Sequence, residues 1–187
     1  TLGQEHPKTI MTINSLAGLY MFQGRYEEAE TLFIRALETQ ESAPKDHPRS
    51  LTFLNGLGNL YLSQGRHKEA ESLFIRTLDE SERTLGKEHP DTLSALNSLG
   101  TLYMLQGRHS KAELLFIKTL DARKRTLGRE HPDTLSAMNN LATAYKNRRR
   151  YSKAEFLFFR TLDARERTLG KKHPDTLISM NNLANVY

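Results

Sequence analysis

Five histidines recur along the chain, each directly before a proline: His6, His47, His89, His131 and His173, at intervals of 41, 42, 42 and 42 residues. Imidazole is the side chain best suited to proton transfer near neutral pH and a common metal ligand, so a recurring histidine could be a base or a zinc ligand. Carboxylates recur as well, at Glu30, Glu71, Glu113 and Glu155, and the turn arginines Arg25, Arg66, Arg108 and Arg150 recur in step with them. Chemistry by these groups would require residues of different repeats to converge. Packed helices stand about 8–10 Å apart, whereas zinc needs its ligands at about 2 Å. No second ligand type travels with the histidines at metal spacing, and no GxxxxGK[ST], HExxH or GxSxG motif is present. The expectation is a protein with no catalytic residue, no metal and no cofactor.

The histidines instead mark a period. Gly86–Leu127 and Gly128–Leu169 share 28 identities over 42 positions, so the chain is an array of repeated units. A residue before proline is pushed out of the α region, and proline is suited to the first helical position, so each His-Pro reads as a helix start. Asp91, Asp133 and Asp175 follow it and complement the positive end of the helix dipole.

Within one repeat, Leu93, Leu96, Leu99, Gly100 and Tyr103 fall on one helical face, which defines a first helix, A. After the turn Gln106-Gly107-Arg108, a second helix, B, runs through Ala112, Leu115, Phe116, Thr119 and Leu120 to about Thr126, with Gly128 as its left-handed C-terminal cap. Small residues at Gly100 and Ala112 let the pair approach closely, with Tyr103 and Phe116 supplying bulk. Neither helix can bury its face alone, so neighbouring repeats must complete the core. Glu41–Asp46 is one residue shorter than its counterparts and lacks the Leu-Gly stop, so Pro44 is expected to end its helix early. Arg149 stands where Gly24, Gly65 and Gly107 stand in the other repeats; if that turn needs a positive φ, the arginine is strained.

Leu99-Gly100, Tyr103, Ala112 and Phe116 resemble the tetratricopeptide repeat signature, lengthened here to 42 residues. The LNNLA-type helix A, the GR-x-x-x-AE turn and the LG-K-x-HP junction are similar to those of kinesin light chains and of repeat arrays attached to nucleotide-binding signalling proteins. The resemblance covers the whole chain. It implies an all-α, right-handed superhelical solenoid of antiparallel helix pairs over residues 1–187. Pairs would start near positions 7, 48, 90 and 132, with a lone helix from 174, giving about four and a half repeats. Thr1-Leu2-Gly3 matches the close of a preceding helix B, and Tyr187 falls inside a helix A. The expectation is a fragment of a longer protein whose unfinished ends offer surfaces for self-association.

The same resemblance implies non-catalytic recognition of a protein or peptide in a concave groove lined by helix A. Asn14, Asn55, Asn97, Asn139 and Asn181 occupy one equivalent position in every repeat. An internal helical asparagine is a poor helix former, and its amide offers both donors and an acceptor to an extended backbone. The alternative is an asparagine that ties helix A to the neighbouring repeat. One turn on lie Gly18, Asn59, Thr101, Thr143 and Asn185, then Met21, Leu62, Met104 and Lys146. This lining is neutral-polar with apolar spots, and Lys146 is its one cation, so an acidic peptide fits it poorly. Two further function classes stay open: a sensor or regulatory region of a nucleotide-binding signalling protein, and a self-associating architectural array.

A net charge of +5 permits acidic partners without naming one. The basic cluster Lys146–Arg150 and the ladder Arg35, Arg76, Lys118 and Arg160 share their surroundings with glutamates, and exposed aromatics are not expected beside them, which argues against nucleic acid. The longest apolar runs, such as Phe156–Phe159, fall far short of the roughly 20 residues that span a bilayer. With no signal-like segment at Thr1, the location expected is cytoplasmic.

Overall fold

The structure, a computed structural model, describes residues 7–41 and 51–186. Among them are nine α-helices and no strand. They are α1 (Pro7–Phe22), α2 (Tyr26–Glu41), α3 (Leu51–Ser63), α4 (His67–Thr84), α5 (Pro90–Leu105), α6 (His109–Thr126), α7 (Pro132–Asn147), α8 (Tyr151–Leu169) and α9 (Pro174–Ala184). Odd-numbered helices are the A helices of the repeat and even-numbered ones the B helices. Helices begin at Pro7, Pro90, Pro132 and Pro174; the region near position 48, residues 42–46 of the junction around Pro44, and Thr1-Leu2-Gly3 lie outside the described residues.

Two compact units, Thr1–Ser98 and Leu99–Tyr187, divide the chain within α5. In the first, α1 packs on α2, α2 on α3, α3 on α4, and α1 also meets α3. Its core is Ala17, Ala29, Phe33, Ala36, Phe53, Leu57 and Leu60, all buried. In the second, α6 packs on α7, α7 on α8 and α8 on α9, around Ala112, Phe116, Leu120, Ala137, Met138, Leu141 and Ala144, with Ala142, Ala154 and Phe158 continuing it.

On α4 and α6, a single phenylalanine lies close against the partner A helix. A Cβ on Gly58 would lie 2.5 Å from the Phe74 ring, and one on Gly100 would lie 2.7 Å from the Phe116 ring. The aromatic ring thus fills the space a side chain would occupy, as the pairing of small and bulky positions predicts. Burying such a ring is worth about 3–5 kcal/mol against its truncation to alanine.

The histidine question has a local answer. His131 and His173 are the N-cap residues of α7 and α9, with extended backbone, and their Nδ1 atoms accept from the Asp133 and Asp175 amides at 3.2 Å. His89 Nδ1 accepts from the Asp91 amide at the same distance. The imidazole satisfies a helix-end donor that no intrahelical carbonyl reaches. Downstream, Gly128 takes φ 91 beyond the C-cap Leu127, the left-handed stop expected.

The turn between A and B closes by one scheme. The amides of Arg25, Arg66 and Arg108 donate to the carbonyls of Tyr20, Tyr61 and Tyr103 at 2.8 Å, and the same guanidinium groups lie over those tyrosine rings at 4.2, 3.7 and 3.9 Å. Gly24, Gly65 and Gly107 adopt φ 74, 74 and 72, and Arg149 adopts φ 57 in their place.

Candidate functional site

The stripe on the A helices that the sequence singles out is distributed over both units. In the first, Asn14, Asn55, Asn59, Leu62 and Asn97 are half-buried, as is Met21, while Gly18 is exposed. In the second, Thr101, Met104, Asn139, Thr143 and Lys146 are half-buried, and Asn181 and Asn185 are exposed. The pattern is sharpest on α7. Thr134, Leu135, Ala137, Met138, Leu141, Ala142 and Ala144 are buried, whereas Ser136, Asn139, Asn140, Thr143 and Lys146 remain partly open on one helical face. On α3 the same division separates buried Leu51, Phe53, Leu54, Leu57, Gly58 and Leu60 from the open Asn55, Asn59 and Leu62.

The asparagines are not equivalent in their bonding. Asn139 Oδ1 accepts from Asn182 Nδ2 of α9 at 2.9 Å, and the Asn139 carbonyl accepts from Thr143 Oγ1 at 3.0 Å. Asn55 Oδ1 is buried and has no hydrogen-bond partner among the described residues. The residue equivalent to Asn182 for Asn55 is Ser98, whose shorter side chain carries no amide. One asparagine of the row is therefore tied to a neighbouring repeat, and another carries an unmatched acceptor.

Between repeats, carboxylates and arginines pair one step out of phase. Glu30 of α2 meets Arg66 at 3.1 Å and accepts from Tyr61 Oη at 2.8 Å, both groups belonging to the following repeat. Burial first, and the Glu30 bond second, hold the Tyr61 hydroxyl above its usual pKa. In the second unit, Glu113 of α6 is held by Arg148 at 2.5 Å and Arg150 at 2.8 Å. The Glu113 side chain is only 11% exposed, so this cluster is largely enclosed. Arg25 turns instead to Glu28 at 2.9 Å, and the pairing holds that carboxyl below its usual range.

Sequence reading missed two buried arginines. Arg165 of α8 donates to the Asp175 carbonyl at 3.0 Å and to Ser179 Oγ at 2.9 Å on α9, and Arg123 of α6 donates to the Asp133 carbonyl of α7 at 2.9 Å. Burial pushes both guanidinium pKa values down. Their recurrence 42 residues apart, against Ser81 one repeat earlier, was the available signal.

Among the described residues no group of three histidines, cysteines or carboxylates could hold a metal ion, and no helix is long and apolar enough to cross a membrane. The expected lack of exposed aromatics beside the basic ladder is corrected on α8, where Phe156 and Phe159 are 59% and 58% exposed next to Arg160.

Helix pairs of this kind, repeated along the chain, define a helical-repeat scaffold. The chain belongs to the tetratricopeptide repeat family, whose model matches residues 8–79, 49–125 and 101–167. No curated protein matches it. Among solved structures it is similar to the nearly identical TPR-like repeats of a putative kinesin light chain of Podosopora anserina, at 28% identity over 97% of this chain and 87% of that one, with a TM-score of 0.78. A point-substituted form of those repeats matches at 26% identity over 100% of this chain and 88% of that one, with a TM-score of 0.79. BtubC (BKLC) from P. vanneervenii shares the fold, at 24% identity over 96% of this chain and 72% of that one, with a TM-score of 0.84. Family and neighbours support a protein–protein interaction scaffold with kinesin-light-chain-like repeats.

Proposed function

We propose that the chain binds an extended peptide segment of a partner protein along the stripe of its A helices, in the manner of cargo recognition by kinesin light chains. The observation that carries this reading is the half-open face of α3 and α7: against the buried faces of these helices, the open one presents amide, hydroxyl and apolar side chains at Asn55, Asn59 and Leu62 and at Asn139, Thr143 and Lys146. An extended backbone exposes alternating donors and acceptors that asparagine amides can meet, and Leu62 and Met104 give apolar side chains a place to rest. Asn55 is half-buried on this face, and its enclosed, unmatched Oδ1 is a candidate for such a bond once the side chain turns outward.

The test is selection of peptides from a displayed library on the whole chain, then titration of the best hit. Losing one hydrogen-bonding partner costs about 1–3 kcal/mol, which is about 5- to 150-fold in affinity. Asn55→Ala should weaken binding on that scale and Met104→Ala through lost apolar contact, with folding checked by circular dichroism, while Arg76→Ala on α4 should change little beyond salt-dependent steering. Normal binding by both stripe variants would remove the assignment.

A further inference from the structure

A second surface, on the B-helix side of the Leu99–Tyr187 unit, has the form of a binding site. Two adjoining hollows of about 460 and 480 Å³ lie against α6, α7 and α8, and share Lys124, Phe156 and Leu157 as their common wall. Leu135 and Met138 of α7 line the first, and Leu141 and Tyr145 of the same helix line the second. Phe156 stands between them, 59% exposed, with the Arg160 guanidinium over its ring at 5.8 Å. Together with the two apolar hollows it touches, this ring forms a contiguous apolar area that a partner could cover.

The charge around the hollows is mostly positive. Lys124, Arg129 and Arg160 rim the first and Lys153 the second. Of the carboxylates, Glu130 is already engaged by Arg167 at 2.8 Å, leaving Asp121. One repeat earlier the positions equivalent to Lys124, Lys153 and Phe156 are Glu82, Lys111 and Leu114, so the aromatic ring and the full set of cations are not repeated there.

We propose that this face docks an acidic segment of a partner protein carrying two large apolar side chains, one for each hollow, with carboxylates meeting Lys124, Arg160 and Lys153. The apolar hollows supply affinity and the cations supply orientation and speed of encounter. Floors built mostly of Leu and Met side chains favour such a peptide over single-stranded nucleic acid, which would need a longer track of cations and successive aromatic platforms than Tyr145 and Phe156 provide. The site is distinct from the A-helix stripe, whose one cation is Lys146, and so takes a ligand of a different charge.

The probe is a set of short glutamate-rich peptides bearing two phenylalanines at varied spacing, titrated into the whole chain by fluorescence anisotropy, with a uridine oligonucleotide in parallel. The expected result is binding by a subset of spacings, weakened by salt and by replacing either phenylalanine with alanine. Phe156→Ala and Arg160→Glu should each reduce the affinity by about tenfold or more, whereas Arg76→Glu, two repeats earlier, should leave it unchanged. Phe156 and Arg160 are both exposed, so circular dichroism should show both variants folded, and Lys124→Glu serves as a further check on the shared wall. The proposal is overturned if no peptide binds, if binding survives Phe156→Ala and Arg160→Glu together, or if the oligonucleotide binds more tightly than any peptide.

Discussion

The Asn182 amide donates to Asn139 Oδ1 across 2.9 Å, so two asparagines of successive A helices, α7 and α9, are joined side chain to side chain. The stripe is therefore in part a ladder that fixes the register of neighbouring repeats. A half-buried amide pair of this kind contributes about 0.5–1.5 kcal/mol.

That ladder predicts coupling. In a double-mutant cycle, Asn139→Ala and Asn182→Ala should each destabilise, and together by less than their sum, with an interaction energy of about 0.5–1.5 kcal/mol from urea unfolding. Strict additivity would mean that the amides do not hold the repeats together.

The capping histidines make a second, graded prediction. Asparagine is among the best N-cap residues and can accept the same amide, so His131→Asn should change stability by less than about 0.5 kcal/mol, while His131→Ala should cost about 0.5–2 kcal/mol. Equal losses for both substitutions in urea melts would show that the Nδ1 bond to Asp133 is not what the residue contributes.

The contrast between these two cases shows which parts of the structure the sequence exposes. His-Pro starts and Gly128 as a stop follow from local backbone preference, and the left-handed turn at Arg149 was readable from the glycines at the matching positions of the other repeats. The pairing of Glu113 with Arg150 rather than its own repeat's Arg108, the reach of Arg165 to α9, and the Asn139–Asn182 bond depend on the offset between adjacent repeats. Helical periodicity fixes which face a residue occupies but not which residue of the next repeat slides opposite it. Phe156 was legible only as part of an apolar run, because burial of Phe158 and exposure of Phe156 and Phe159 are decided by how α8 rotates against α7.

Glu113 lies between Arg148 and Arg150 with little access to water, so Glu113→Gln should leave two cations without their shared anion. Removing a hydrogen bond to a charged group costs about 1.5–3 kcal/mol, and the half-exposed guanidiniums place the loss toward the lower end. Calorimetry should show the drop for Glu113→Gln and a much smaller one for the exposed Glu69→Gln. A neutral Glu113→Gln would mean that solvent screens the cluster almost completely.

Tyr61 sets an alkaline limit. Its hydroxyl is held above the ordinary value of 10.0, by burial first and then by its bond to Glu30. A raised pKa in the folded state means that the stability it contributes is fully present below the unfolded value and is lost as pH rises through the folded one. From about pH 9 to 11 the unmodified chain should lose more stability than Tyr61→Phe, which cannot ionise. At neutral pH the order reverses, because the variant gives up a hydrogen bond worth about 0.5–1.5 kcal/mol. Parallel pH profiles for the two proteins would dismiss the role assigned to Tyr61.

Arg149 offers the cleanest test of a backbone effect. Its φ of 57 is the left-handed value that Gly24, Gly65 and Gly107 adopt in the matching turns, and the turn has kept its hydrogen bonds: the Arg149 amide donates to the Lys146 carbonyl and the Arg150 amide to the Tyr145 carbonyl, both at 2.9 Å. The repeat thus holds an L-residue where its sisters hold glycine, without rearranging around Asn147. A residue with a Cβ spends about 1–2 kcal/mol in this region, and glycine would recover it. Against that, glycine gains about 0.4–1 kcal/mol of freedom in the unfolded chain. The two terms leave Arg149→Gly more stable by about 0–1 kcal/mol, while Arg149→Ala should be no more stable than the parent, since alanine keeps the strain. Thermal and urea unfolding of the three proteins decide the matter; clear destabilisation by glycine alone would show that the strain is smaller than the entropy it was set against.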